Sequence, residues 1–336
     1  MSRYLYNILL FILFSFSTTA QTGESVYQFL ELPVSSIAAG SGGNLVSSPE
    51  SDLNLVFHNP ALLSSEMNKQ IELGYMNYIS DVNAGSFAYS HKINDNSQWM
   101  AGVRYVDYGS MPWTSETDEL LGTTYAKDLA VTGAYSWRLS ESWRAGSSLS
   151  LIYSVLDEYV SAAIAVDLGV FYNDPAHFFS AGLTIKHLGS QIVSYNDQYE
   201  SMPWDIRLGV SKKLTYAPFR FNITAQNLNK RSFTYLEVDS VVDESTGFSK
   251  FANNVFSHII MGVDFMPGEN FLLSLGYNHR RANQLGINQR TFFGGFSIGT
   301  MLKFNQIKIG ASFARYHIGG NSLQMTLSLN SSIFGI

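Results

Sequence analysis

Apolar and polar residues alternate along much of the chain with a period of two. In the last such segment Leu323, Met325, Leu327 and Leu329 alternate with Gln324, Thr326, Ser328 and Asn330. In an earlier one Phe271, Leu273, Leu275 and Tyr277 alternate with Leu272, Ser274, Gly276 and Asn278. The pattern continues, less cleanly, through residues 143–155, 160–172, 204–210 and 219–223. A period of two sends neighbouring side chains to opposite faces of a strand. Segments of ~10 residues with one apolar and one more polar face, separated by turns, are the signature of a barrel whose outside meets lipid. In the last segment this parity puts Met325 toward lipid and Thr326 toward the lumen.

Laid end to end, the predicted strands cover residues 69–79, 83–93, 98–106, 124–138, 143–156, 159–172, 177–187, 203–214, 219–228, 255–266, 271–280, 291–304, 307–317 and 321–334. That is fourteen, an even number, as antiparallel closure requires. Every second link is a tight turn, at 94–97, 139–142, 173–176, 215–218, 267–270 and 305–306. The other set holds all the long links, 107–123, 188–202 and 229–254, with 281–290 intermediate, although 80–82, 157–158 and 318–320 are short. A soluble sandwich has no reason to sort loop length by parity, whereas outer-membrane barrels keep short turns on the periplasmic side and longer loops outside.

Composition narrows the class further. The 336 residues include no cysteine, which excludes disulfide scaffolds, Cys-ligated zinc and iron–sulfur clusters. Charged residues are 14%, below the ~25% of an average soluble domain, and 19 Tyr and 23 Phe argue against disorder. Arg3, the apolar run 5–16 and Ser17-Thr18-Thr19-Ala20 read as a secretory signal peptide over residues 1–20. The net charge of −6 becomes one unit more negative once Arg3 is removed, so nucleic acid is not an expected partner. No stretch is apolar over the length a membrane-spanning helix needs.

Residues 21–68 do not alternate. They contain Gly40, Gly42 and Gly43, followed by the largely apolar 52–63. Too polar for lipid and too apolar to hang free, this segment is expected to fold inside the barrel 69–336 as a plug. Asn59 before Pro60 reads as a cap that starts a short helix through Ala61 to Leu63, making Asn59, Pro60, Ala61 and Leu62 the plug motif.

Four charges interrupt apolar strand faces: Arg104, Asp167, Arg207 and Asp264. Alternation turns all four into the lumen, two positive and two negative. An ion-pair network holding the plug explains them more simply than a solute path or a partner seat, because a buried charge needs a partner. Met-Pro-Trp occurs twice, at 111–113 and 202–204. Trp113 and Trp204 suit the interfacial aromatic belt and are also candidate docking positions, with Phe233 and Tyr235 of the longest outer loop.

Chemistry is sought and not found. The seven histidines make no HExxH arrangement, and there is no GxSxG or phosphate-binding loop. No catalytic, cofactor or metal residues are assigned. Glu116, Asp118 and Glu119 read as a solvated loop face rather than a Ca²⁺ site.

Asn59-Pro60-Ala61-Leu62, after a glycine-rich segment and ahead of fourteen strands, resembles the fatty-acid-transporter (FadL-type) barrels, whose N-terminal segment forms a hatch. Within that superfamily three blocks are similar to the PorQ family of the type IX secretion system. They are Tyr27-Gln28-Phe29-Leu30-Glu31-Leu32-Pro33-Val34-Ser35, then 52–63, then Tyr199-Glu200-Ser201-Met202-Pro203-Trp204-Asp205-Ile206-Arg207-Leu208-Gly209-Val210 followed by Ala217-Pro218-Phe219-Arg220-Phe221. The resemblance spans essentially the whole mature chain. It implies a non-catalytic component of the type IX attachment complex in the bacterial outer membrane, anchoring an extracellular multidomain protein. A sortase-like protease and a related cargo-handling barrel would complete the complex. The alternative is a FadL-type passive transporter of a hydrophobic solute. The expected fold is all-β: a 14-stranded antiparallel transmembrane barrel with an N-terminal plug segment.

Overall fold

The computed structural model describes residues 25–114, 120–230, 247–284, 294–317 and 320–331. The predicted signal peptide, Phe233, Tyr235 and the acidic residues 116, 118 and 119 lie outside these ranges.

Fourteen strands close into one antiparallel barrel, each bonded to its sequence neighbours and the last to the first. They are β1 (Gln70–Ile79), β2 (Val82–Asn94), β3 (Ser97–Thr114), β4 (Leu120–Arg138), β5 (Trp143–Leu156), β6 (Tyr159–Asp174) and β7 (Phe179–Val193). The second half is β8 (Asp205–Lys213), β9 (Phe219–Ala225), β10 (Ile259–Phe265), β11 (Phe271–Asn278), β12 (Phe296–Phe304), β13 (Ile307–His317) and β14 (Gly320–Asn330). Closure leaves no unpaired edge in lipid, which is what lets strands cross a membrane. The tight turns fall at one end; in the two-residue turn between β12 and β13, Asn305 takes the left-handed φ of 51° that such hairpins need.

The barrel is inside out relative to a soluble protein. On β14 Leu323 and Met325 are exposed while Gln324, Thr326 and Ser328 are buried, and β8 alternates in the same way. Ring pairs such as Trp143–Tyr172, 5.0 Å between centroids, and Tyr135–Trp137, 5.9 Å, cluster toward the tight-turn end, where amphipathic rings favour the headgroup level.

Several boundaries differ from the pattern-based expectation: β7 runs to Val193 through the first part of the presumed outer loop 188–202, and β9 ends at Ala225, short of 228. The presumed outer loop 107–123 is largely strand: β3 and β4 continue as a two-stranded ribbon from Ser110↔Tyr125 to Thr114↔Leu120, past the last β2–β3 pair at Asp107 and the last β4–β5 pair at Ala126. Polar Gly-Ser and Thr-Thr stretches hid it, because a ribbon in water needs no apolar face toward lipid. Residues 255–257, assigned to a strand by their apolar content, end helix α2 (Gly247–Ser257). His279 and Arg280 begin helix α3 (His279–Gln284) instead of finishing β11.

The N-terminal segment runs through the lumen. It enters at the long-loop end, where Val26 N–H donates to the Ser201 carbonyl (3.2 Å) and Tyr27 Oη meets Ser161 Oγ at 2.5 Å. It then forms helix α1 (Ser36–Gly40), capped by Ser35, whose Oγ accepts from Ala38 N–H. By Ser47, 2.7 Å from Ser211 Oγ, and Ser51, 3.0 Å from Lys308 Nζ, it has reached the tight-turn end. Three 3-10 turns, Leu53–Phe57, Pro60–Leu62 and Ser65–Met67, lead to β1. The apolar residues bury against one another and against small inward wall residues such as Ala88, Ala130 and Ala134. Gly40 on α1 and Gly299 on β12 let two backbones touch: a methyl on Gly40 would sit 2.6 Å from the Gly299 Cα.

Candidate functional site

The lumen at mid-height is a set of charges crossing from wall to segment. On β8, Asp205 and Arg207 are two apart and so share the inward face. Arg207 Nε lies 2.5 Å from Asp205 Oδ2, its Nη1 donates to Asn44 Oδ1 at 2.7 Å, and its Nη2 pairs with the Glu31 carboxylate. Glu31 Oε1 is also 3.2 Å from His187 Nδ1 on β7. On the same strand Lys186 Nζ donates to the Phe57 carbonyl at 2.5 Å and stands 3.9 Å from Asp167 of β6. Arg104 on β3 donates to the Leu30 carbonyl at 3.0 Å and lies over the Phe57 ring, 5.1 Å from its centroid.

A second group sits at the other end of the segment. Arg220 on β9 and Asp264 on β10 are register partners, with Nε and Oδ2 2.8 Å apart, and Arg220 Nη1 reaches Glu50 Oε1 at 2.7 Å. Asn222 and Ser274 donate to the same Asp264 carboxylate at 2.6 Å each. Each strand-borne cation here reaches a carboxylate or a carbonyl of the N-terminal segment, as a charge out of water demands. Arg104 Nε and Arg220 Nη2 are buried without a hydrogen-bond partner among the described residues.

The segment's own ionisable groups feel these cations. Desolvation would raise the Glu31 pKa, but Arg207, the hydrogen bond to His187 and the field of Lys186 together hold its carboxyl well below the usual carboxylate range. His58 is fully enclosed, and burial first, then Lys186, Arg207 and Arg104, push its pKa well below the ordinary histidine value. It is a neutral imidazole whose Nδ1 lies 3.3 Å from Asn44 Oδ1.

The four charges singled out from the pattern, Arg104, Asp167, Arg207 and Asp264, are all buried on inward positions. Pattern reading missed Lys186, which His187 follows, and Arg220, although Arg220 carries the same signal of a charge between apolar neighbours, Phe219 and Phe221. It also left Glu31, Glu50 and Asp205 out of the charge set; the first two lie where there is no periodicity to read. Asn59 does cap the turn: its Oδ1 accepts from Ala61 N–H at 3.0 Å and its Nδ2 donates to the Val46 carbonyl at 3.0 Å. The helix that follows is a single 3-10 turn, Pro60–Leu62, and Arg144 of β5 donates to the carbonyls of Ala61 (3.4 Å) and Leu62 (3.3 Å).

Trp113 stands on the β3–β4 ribbon, 63% exposed. In the second Met-Pro-Trp, Met202 is buried against Tyr27, Phe29 and Leu30 of the N-terminal segment, while Trp204 stays partly exposed. Two small cavities border the segment. One of about 20 Å³ lies between Phe29, Leu32, Val34 and the β1–β3 wall, and one of about 50 Å³ lies beside Glu50 and Lys308. They have room for one or a few waters. Among the described residues no His, Asp and Glu gather in a metal-binding group.

No protein-family profile matches the chain, and no curated protein sequence is detectably similar to it. Solved structures are similar in fold. The toluene transporter TodX of Pseudomonas putida superposes with a TM-score of 0.55 at 10% identity, covering 88% of this chain and 97% of that one. The monoaromatic hydrocarbon channel CymD gives 0.55 at 12% identity, over 89% and 97%. A Pseudomonas aeruginosa FadL homologue gives 0.48 at 11% identity, over 88% and 98%. The fold is therefore that of a bacterial outer-membrane β-barrel. More narrowly, it is a closed fourteen-stranded antiparallel barrel, similar in fold to TodX and CymD.

Proposed function

We propose that this chain is a non-catalytic outer-membrane anchor that holds an extracellular protein at the cell surface, as a component of the type IX secretion attachment complex. The observation that carries this reading is the state of the lumen. Among the described residues, a segment locked to the wall by Arg207, Lys186, Arg220 and Arg144 is bordered by cavities of about 20 and 50 Å³, far below the several hundred Å³ of an ordinary small-molecule site. A filled barrel is suited to being a rigid platform. The three PorQ-like blocks support the same role: the first supplies Glu31, and the third supplies Asp205, Arg207 and Arg220 of the clamp. The partner, a multidomain surface protein associated with a sortase-like protease and a related barrel, would dock on the outer end. There the β3–β4 ribbon presents Trp113, and Trp204 is partly exposed two residues after Met202, which packs on the N-terminal segment.

The test is capture of the tagged barrel from native outer membranes in mild detergent. A surface protein should co-purify with the intact chain and be lost when residues 110–124 are replaced by a short Gly/Ser link, with heat-modifiable migration unchanged. Full retention by the shortened barrel would move docking to the 229–246 loop, which carries Phe233 and Tyr235. Absence of any partner from the intact chain would overturn the anchor reading.

The second reading, a passive channel for a hydrophobic solute, is favoured by the likeness in fold to structures described as a toluene transporter and a monoaromatic hydrocarbon channel. It requires the N-terminal segment to move. Hydrocarbon uptake into vesicles carrying the purified barrel, abolished by deletion of the chain in cells, would decide for it.

A further inference from the structure

Helix α2 is amphipathic the wrong way round for a helix on a water-soluble surface. At 100° per residue Phe251 and Val255 fall on one side and Asn253 and Ser257 on the other, with Phe256 at the border between them. A soluble surface helix would bury the first set. Here the polar side is the one that makes the protein contacts, from an exposed Asn253 and a buried Ser257. Asn253 Oδ1 accepts from Asn283 Nδ2 at 3.0 Å and lies 2.7 Å from His279 Nε2, both on α3, and Ser257 is fully buried. Phe251, Val255 and Phe256 are 66%, 39% and 47% exposed. This is the polarity of the barrel wall itself: polar inward, apolar outward.

The apolar side is also continuous with the lipid-facing belt. α2 leads through His258 into β10, where Met261 is among the exposed outward positions. Phe256 packs edge-on to His279 (6.0 Å), His279 lies 6.2 Å from Tyr277, and Tyr277 packs at 4.9 Å on Phe296, which is exposed on the outer face of β12. An unbroken run of rings thus joins the helix to the wall at its long-loop end. We infer that α2 lies in the plane of the membrane, with Phe251 and Val255 immersed in the acyl region of the outer leaflet. It widens the apolar belt on the β9–β12 side. Phenylalanine on the apolar side of a strongly amphipathic helix is typical of such interfacial helices.

Because the chain has no cysteine, single cysteines report cleanly. Phe251→Cys and Val255→Cys, each carrying a nitroxide, would be compared with Met325→Cys on the lipid-facing wall and Tyr216→Cys in an exposed tight turn. The proteins would be reconstituted in phosphatidylethanolamine/phosphatidylglycerol vesicles, with heat-modifiable migration as the folding check. The expected result is an oxygen-to-nickel-chelate accessibility ratio at 251 and 255 matching that at 325 and several-fold above that at 216. A ratio like that at 216 would mean a water-facing helix, and low accessibility to both reagents would mean cover by protein, such as a second copy. Either overturns the inference. If one labelled variant fails to fold, the other carries the test.

Discussion

Glu31 and Arg207 stand 176 residues apart in the chain and share an ion pair in the lumen. The pair ties the N-terminal segment to the wall of the barrel. Arg207 also holds Asp205 and Asn44, so a single guanidinium joins the strand to two stretches of the segment.

Arg207→Met should therefore do more than remove a contact. It strands the buried Asp205 and the partly exposed Glu31 without their cation, a loss of about 3 to 5 kcal/mol by the usual cost of breaking a buried pair. In limited proteolysis the N-terminal segment should become cleavable while the strands stay protected. Adding Glu31→Gln should restore part of the protection, and a double variant as labile as the single one would show that Glu31 is not the partner that matters.

The two faces of β14 should respond differently to the same residue. Met325 is half exposed, and Met325→Arg puts a charge in lipid at about 2 to 4 kcal/mol near the midplane. Thr326 points inward, but its Oγ1 is 2.8 Å from Ser36 Oγ and its surroundings are full. Thr326→Arg should leave barrel insertion intact and displace α1, exposing residues 36–40 to protease. Thr326→Val should lose only the hydrogen bond, about 1 kcal/mol. Urea midpoints in detergent for the three variants check this.

Close backbone approaches make another contrast. A methyl on Gly182 would run into the Val46 carbonyl, whereas one on Gly133 meets nothing within 4 Å. Gly182→Ala should cost about 1 to 3 kcal/mol through overpacking and loosen the segment, with Gly133→Ala near neutral. Equal thermal midpoints for the two would contradict the seating of residues 46–47 against β7.

Acid should loosen the lumen in two stages. His58 has a folded pKa below its ordinary 6.5, so the unfolded chain binds the extra proton and stability falls as pH drops below 6.5. Glu31 has a folded pKa below its ordinary 4.5, so its contribution is complete above 4.5 and is lost as pH falls through the lower folded value. Unfolding midpoints measured from pH 7.5 to 3.5 should decline across both windows. His58→Gln should flatten the first and leave the second.

Strand number, facing and the parity of turn and loop lengths are legible in the chain alone. Each depends on a local rule: period-two alternation against lipid, tight turns of polar residues, and the expense of a lone charge on an apolar face. For the same reason Arg104, Asp167, Arg207 and Asp264 stand out without any structure. What pairs with them does not. Glu31 and Glu50 lie in an aperiodic stretch, and their partners Arg207 and Arg220 come within reach only after the barrel closes and the segment threads it. The β3–β4 ribbon and α2 escaped the pattern because both leave the membrane core, where alternation is no longer enforced. Only the tertiary structure sets which face of α2 meets protein, since that is decided by Asn253 finding His279 and Asn283 rather than by the helix's own sequence.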